Sequence, residues 1–212
     1  ARLPDIAPID ITIDIDASSD DMERHGIKLS AFIFDSLFTS DGVFPDPEGF
    51  LKPAVEAVRR RGGLVISDEV QPGFARTGSH YWGFERHGVI PDFVTLGKPM
   101  GNGYPVSALI AKSTLLDDVG SDLRYFNTFG GNTVAVAAAK AVMDVIEEEG
   151  LQQNAVEVGS YLDDCVQSVA KSSPTIGEVR ASGLYLGVDV YDAATGLPSK
   201  AETTRIVNDL RD

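Results

Sequence analysis

An α/β fold, with a largely parallel sheet flanked by helices, is what this 212-residue sequence predicts. Three observations carry that expectation. Short apolar runs at residues 31–34, 64–67, 93–96 and 106–111 are bounded by Gly, Pro or Asp, as buried strands are. Between the first two runs Phe50, Leu51, Ala54, Val55 and Val58 fall at helical spacing, and Gly62 and Gly63 follow as a stop signal, which gives a strand–helix–strand crossover. Longer helical patterns then occupy residues 133–149, ending at Gly150, and residues 151–170, the second of which contains Cys165.

From Ile176 the pattern changes to the Gly-punctuated, alternating stretch EVRASGLYLGVDV, then to a polar turn and a helix at residues 200–210. The change puts a domain boundary near Pro174. Residues 1–173 are expected to form the large domain with its following helix, and residues 174–212 the beginning of a small α+β domain. The chain opens at Ala1 without a signal segment and stops at Asp212 inside an amphipathic stretch, so both ends read as cut from a longer protein.

Composition narrows the class of function. Hydrophobic residues at 43% and charged residues at 24% match a folded domain, so binding must come from a structured site. Eighteen basic against 32 acidic side chains give a formal charge of −14, which repels nucleic-acid backbones and anionic membrane surfaces. A single cysteine cannot make an internal disulfide, and no apolar run is long enough to span a bilayer. The expectation is a cytoplasmic protein, or one from an organelle matrix, acting on small molecules.

The chemistry concentrates where strands end, because in open α/β sheets the carboxyl ends of the strands frame the ligand crevice. In LVISDEVQPGFARTG an apolar strand delivers Asp68 and Glu69 into a Gly-containing turn. In DFVTLGKPMGNGYP a second strand delivers Lys98 into a loop of glycines and prolines. Each has a plainer reading: a turn or helix cap for Asp68, a solubilising surface amine for Lys98. A strand followed by Asp-Glu also suits a magnesium-holding P-loop ATPase, but no G-x-x-x-x-G-K-S/T occurs, and Pro99 lacks the N–H that a phosphate nest would use. Gly101 and Gly103 alone make a weak dinucleotide signal. His25, His80 and His87 lack metal-ligand spacing and read as surface or packing residues, so no metal site is expected.

The two segments together, in order and 30 positions apart, fit a specific division of labour. A lysine amine can form a Schiff base with pyridoxal phosphate, while a carboxylate keeps the ring nitrogen protonated. On SDEVQPGFARTG, TLGKPMGNGYPVSA, YFNTFGGN and VRASGLYLGVDV, in that order between about Ala31 and Val190, the chain resembles the class III pyridoxal-phosphate-dependent aminotransferases. The resemblance implies the large domain of a fold-type I enzyme, with pyridoxal phosphate as cofactor. It implies Lys98 as the Schiff-base lysine and Asp68 as the ring-nitrogen partner. Val70 would pack on one ring face and Gln71 would hydrogen-bond the ring hydroxyl. Thr128 would reach the cofactor phosphate of the neighbouring subunit of a homodimer, its plainer alternative being a tight turn before a helix capped by Asn132.

Departures from the family pattern are Pro72 and Ala75 in the turn after DEVQ, and Asp35 where the family commonly has a glutamate facing the substrate. The family's upstream phosphate loop and aromatic ring cover have no counterpart in these residues, so the 212-residue chain alone is expected to be inactive and to hold the cofactor weakly. YFNTFGG and VRASGLYLGVDV look closest to the branch holding alanine–glyoxylate aminotransferases and ethanolamine-phosphate phospho-lyases. Amino transfer from an amine or amino acid to an oxo acid or aldehyde leads, with phosphate elimination from a phosphorylated amino alcohol as the alternative. A non-catalytic α/β interaction domain is the reading of a different class.

Overall fold

A computed structural model describes residues 11–211. Helix α1 (Ile11–Arg24) leads into strand β1 (Ala31–Phe34), helix α2 (Lys52–Arg60) and strand β2 (Leu64–Asp68). Strands β3 (Phe93–Leu96) and β4 (Ala108–Ala111) complete a four-stranded sheet of order β1-β2-β3-β4. Its first three strands are parallel and β4 is antiparallel. Helices α3 (Ser113–Asp122), α4 (Thr133–Glu148) and α5 (Leu151–Ala170) follow. A separate antiparallel pair, β5 (Ile176–Ser182) and β6 (Tyr185–Val190), precedes α6 (Lys200–Asp209).

The crossover helix shows how sequence becomes packing. Pro53 sits in the first turn of α2, where its missing N–H costs nothing. At the other end Gly62 takes a left-handed φ of 79°, and its N–H and that of Gly63 bond back to the Arg59 and Val58 carbonyls at 3.0 Å each. Leu51 at the N-cap, with Val55 and Val58 on the helix, packs with Phe34, Val65 and Val89 in the main buried cluster. Burial of each such side chain contributes about 1.5–3 kcal/mol.

The strand expected at residues 106–111 begins only at Ala108. Its partner β3 ends at Leu96, which pairs with Ala108, so Val106 and Ser107 have no ladder to join. Two helices lie where the sequence patterns announced no element. In α1 the segment ITIDID alternates with the period of a strand, yet it forms helix and docks on α2 through Arg61, which bonds Asp16 at 3.0 Å and Asp20 at 2.6 Å. The second is α3, which follows β4 directly.

The β5–β6 pair docks closely on the first sheet's loops. Gly183 has φ 53°, and a β-carbon there would stand 2.4 Å from the Thr77 carbonyl carbon, so only glycine allows the approach. Leu184 N–H donates to the Arg76 carbonyl at 3.1 Å. On the other strand Arg180 forks onto Asp189 and donates to the Gly42 and Val43 carbonyls at 3.0 and 2.9 Å. The ARTG and RASGLYLG motifs are thus one contact.

His87 fastens the loop after β1. Its Nε2 faces the Ser36 carbonyl at 2.9 Å, and Nδ1 accepts from Gly49 N–H at 3.2 Å, an arrangement that suits the neutral ring. Burial holds its pKa below the ordinary 6.5, with Arg86 adding to the effect and the Ser36 bond opposing it. A depressed folded pKa means that the unfolded state takes up the proton first. The stabilisation is therefore complete above pH about 6.5 and is lost as pH falls through the folded value. Melting temperatures measured from pH about 7.5 down to about 5.5 should drop less in His87→Gln than in the wild type; equal slopes would contradict this role.

Candidate active site

Alternation along β2 sorts its side chains. Val65 and Ser67 face the buried α2 side, while Leu64, Ile66 and Asp68 face the other and are only half-buried. Asp68, the last residue of β2, accepts from Val70 N–H at 3.0 Å through Oδ1. Its other oxygen bonds no protein group among the described residues.

Glu69, the next residue, does something different. It is fully buried and accepts from the Ser67 hydroxyl at 2.8 Å and from the Gly83 and Phe84 N–H groups at 2.7 and 3.0 Å. Burial pushes its pKa up while those bonds pull the other way. The carboxylate ties the end of β2 to the 3-10 turn Gly83–His87 and so fixes the intervening loop. Sequence reasoning gave no separate role to this second carboxylate; the period-two alternation that turns it inward was the available signal.

The loop between them is strained and packed. Phe74 and Ala75 have φ of 60° and 63°, both left-handed, and Phe74 meets Trp82 edge to face at 5.3 Å. Pro72 and Ala75, the family departures, are both buried, and Ala75 N–H donates to the Tyr81 carbonyl at 2.9 Å. Ala75 lines a cavity with Phe74, Arg76, Pro99 and Leu184, whereas Pro72 is enclosed by the turn. Asp35 is similarly occupied: its oxygens accept from Leu37 N–H at 2.9 Å, from Thr39 N–H at 3.0 Å and from the Thr39 hydroxyl, so it closes its own turn.

Strand β3 lies beside β2 with Thr95 in register with Asp68. Parallel register puts both side chains on the same sheet face, and the Thr95 hydroxyl is buried there without a hydrogen-bond partner among the described residues. Three residues on, Lys98 opens the 3-10 turn Lys98–Gly101 with φ 30°, a left-handed backbone for a residue with a β-carbon. Such strain costs about 1 kcal/mol and is found at functional sites when surroundings hold it. The Lys98 side chain is exposed and makes no ion pair or hydrogen bond among the described residues. From strand spacing, the Asp68 and Lys98 α-carbons are within about 15 Å of each other. Val70 bridges the two segments, since its Cγ2 lies 3.5 Å from where a β-carbon on Gly97 would stand.

Asp68, Val70, Gln71 and Lys98 therefore share one rim of the sheet. Gln71 is half-buried, its side-chain amide bonds no protein group among the described residues, and its carbonyl accepts from the Tyr185 hydroxyl. Thr128 stands apart in an exposed loop, with Phe126 and Phe129 each 79% exposed, and no hydrogen bond joins it to Asp68, Gln71 or Lys98. The loop is shaped by Asn127, which accepts from the Phe129 and Gly130 N–H groups at 3.2 and 3.0 Å. Asn132 caps α4 by accepting from Ala135 N–H at 2.9 Å. No group of three or more His, Cys, Asp or Glu side chains is arranged to hold a metal among the described residues. Among them, too, no helix is long and apolar enough to cross a membrane.

Comparison with known proteins gives concordant results. The family model described as aminotransferase class-III matches residues 15–211. Alanine–glyoxylate aminotransferase 2-like from Drosophila melanogaster is 44% identical over 188 residues, 88% of this chain and 38% of that protein. Human mitochondrial alanine–glyoxylate aminotransferase 2 is 44% identical over 163 residues, 77% of this chain and 32% of that protein. A solved phospholyase from Arthrobacter, in complex with phosphoethanolamine, superposes with a TM-score of 0.91 at 38% identity, covering 99% of this chain and 52% of that one. The chain thus spans under two-fifths of the two curated relatives and about half of the solved structure.

Proposed function

This chain belongs to the class III aminotransferase family, and on that premise we propose that the protein carrying it moves amino groups from an amine or amino acid to an oxo acid or aldehyde with pyridoxal phosphate as cofactor. One observation carries the reading: Asp68 and Lys98 emerge at the ends of adjacent parallel strands, each with its reactive atom uncommitted to any described protein group.

The residues fit the cofactor. Among the described residues, a carboxylate oxygen, an amine and an amide without partners lie on one rim, and the buried Thr95 hydroxyl beside Asp68 lacks the partner that a bound polar ring or its water would supply. When bound, pyridoxal phosphate supplies an electron-accepting ring that stabilises negative charge at the substrate's α-carbon. Asp68 would keep the ring nitrogen protonated, Val70 would pack against one ring face, and Gln71 would donate to the ring hydroxyl. Lys98 would hold the cofactor through its amine and, once displaced by the substrate's amine, move a proton at the α-carbon. Thr128 would serve the phosphate of a second subunit, which makes the active unit a homodimer; its exposure, with no hydrogen bond to Asp68, Gln71 or Lys98 among the described residues, supports that role.

Phosphate elimination is the second reading, favoured by the close superposition on a phospholyase bound to phosphoethanolamine. We assign residues 1–173 to the large domain and residues 174–212 to the start of the small one, supported by the separate hydrogen bonding of the two sheets. The setting is an aqueous compartment, cytoplasm or organelle matrix, the latter supported by the mitochondrial human relative. We propose further that residues 1–212 alone bind the cofactor weakly, because the family's phosphate-loop motif has no counterpart in this sequence, and each lost charge-assisted hydrogen bond costs about 1.5–3 kcal/mol. Bound-cofactor absorbance that survived dialysis of the 212-residue chain would contradict this.

The test of the main reading is to load the full-length protein with pyridoxal phosphate and offer it amino donors with oxo acceptors, and phosphoethanolamine separately. Formation of a new amino acid supports amino transfer. Phosphate release without amino transfer supports the second reading, and neither product, with no cofactor bound, overturns both.

A further inference from the structure

We propose that Tyr185, from the second sheet, is a positioning residue that fixes the turn at residues 68–71 for the cofactor through its hydrogen bond to the Gln71 carbonyl. The inference rests on the reading of Asp68, Val70 and Gln71 as cofactor contacts.

The peptide unit between Gln71 and Pro72 has a single polar handle. Pro72 has no N–H, so only the Gln71 carbonyl oxygen can anchor the orientation of that plane, and Tyr185 is its partner. Rotation of the plane would swing the Gln71 side chain, whose amide nothing else among the described residues restrains. The rest of the turn is already held, with Asp68 by Val70 N–H at 3.0 Å and Gly73 N–H by the Glu69 carbonyl at 3.1 Å.

Tyr185 can act as a fixed post because its own backbone is locked. Gly183 lies against the residue 76–77 backbone, and Leu184 N–H bonds the Arg76 carbonyl, both within two residues of Tyr185. The phenol is also a donor over the whole working pH range. Its pKa is pushed up to about 12 by burial, with Asp35 and Glu69 adding and Arg76 opposing.

Cofactor affinity and the pH titration of bound-cofactor absorbance, measured on the full-length protein, test the proposal. Tyr185→Phe keeps the ring and removes only the donor. It should weaken pyridoxal phosphate binding about 3- to 10-fold, the worth of one hydrogen bond, and shift the titration midpoint, because Gln71 meets the ring hydroxyl. Arg180→Lys, which loosens the same hairpin at residues 42–43, should leave affinity within about twofold and the midpoint unmoved. In a Gln71→Ala background Tyr185→Phe should add no further loss. Wild-type affinity and midpoint in Tyr185→Phe overturn the proposal, as does an equal loss in Arg180→Lys or a loss that multiplies with Gln71→Ala. If the wild type binds cofactor and Tyr185→Phe matches it, only this inference fails; if the wild type binds none, the functional reading falls and takes it along.

Discussion

Lys98→Ala is expected to lower kcat/KM of the full-length enzyme by about ten-thousandfold, equivalent to roughly 5.5 kcal/mol of barrier. In the proposed role the amine would both hold the cofactor and move the proton at the substrate's α-carbon, and the nearby acids Glu69 and Asp35 are not free to take over that work. Glu69 is buried and committed to Gly83 and Phe84, and Asp35 is committed to its own turn. Removing the amine should leave folding untouched, because the side chain is exposed and unpaired and alanine keeps the same left-handed backbone with a β-carbon. An unchanged melting temperature with partial rescue of turnover by added methylamine would separate lost chemistry from lost structure. A variant retaining more than about a tenth of wild-type kcat/KM would contradict the assignment.

Asp68→Asn should lower kcat by about a hundred- to a thousandfold, the usual effect of removing a preorganised electrostatic partner from a developing charge. The amide oxygen can still accept from Val70 N–H, so the turn keeps its shape while the charge proposed to hold a proton on the ring nitrogen is lost. Bound-cofactor absorbance should persist. Steady-state kinetics beside an absorbance titration measures both effects, and near-normal turnover would rule out the ring-nitrogen role.

The parts of this site that lie within one local pattern were legible in the sequence. An apolar run ending in Asp68, the glycines at 62 and 63 closing α2, and Asn132 ahead of α4 each act through neighbours a few residues away, and the structure has each in that place. The strand-end rule also brought Lys98 beside Asp68, because adjacent parallel strands end on the same side. Contacts made only by folding were not legible. Tyr185 reaches Gln71 across 114 positions, and Gly183 meets residues 76–77 backbone to backbone, so no window on the chain reveals either. Glu69 beside Asp68 looks like a second acid until the pleat turns it inward. ITIDID in α1 carries strand periodicity and takes helical form where Arg61 on the end of α2 gathers its acids. That is packing overriding local pattern.

Borohydride reduction of the cofactor-loaded full-length protein, followed by peptide mapping, tests the central assignment most directly, since reduction fixes the pyridoxyl group on whichever lysine holds it. The label is expected on Lys98, in the segment TLGKPMGNGYP. A label on Lys112 or Lys52, or on no residue of this chain, would contradict it.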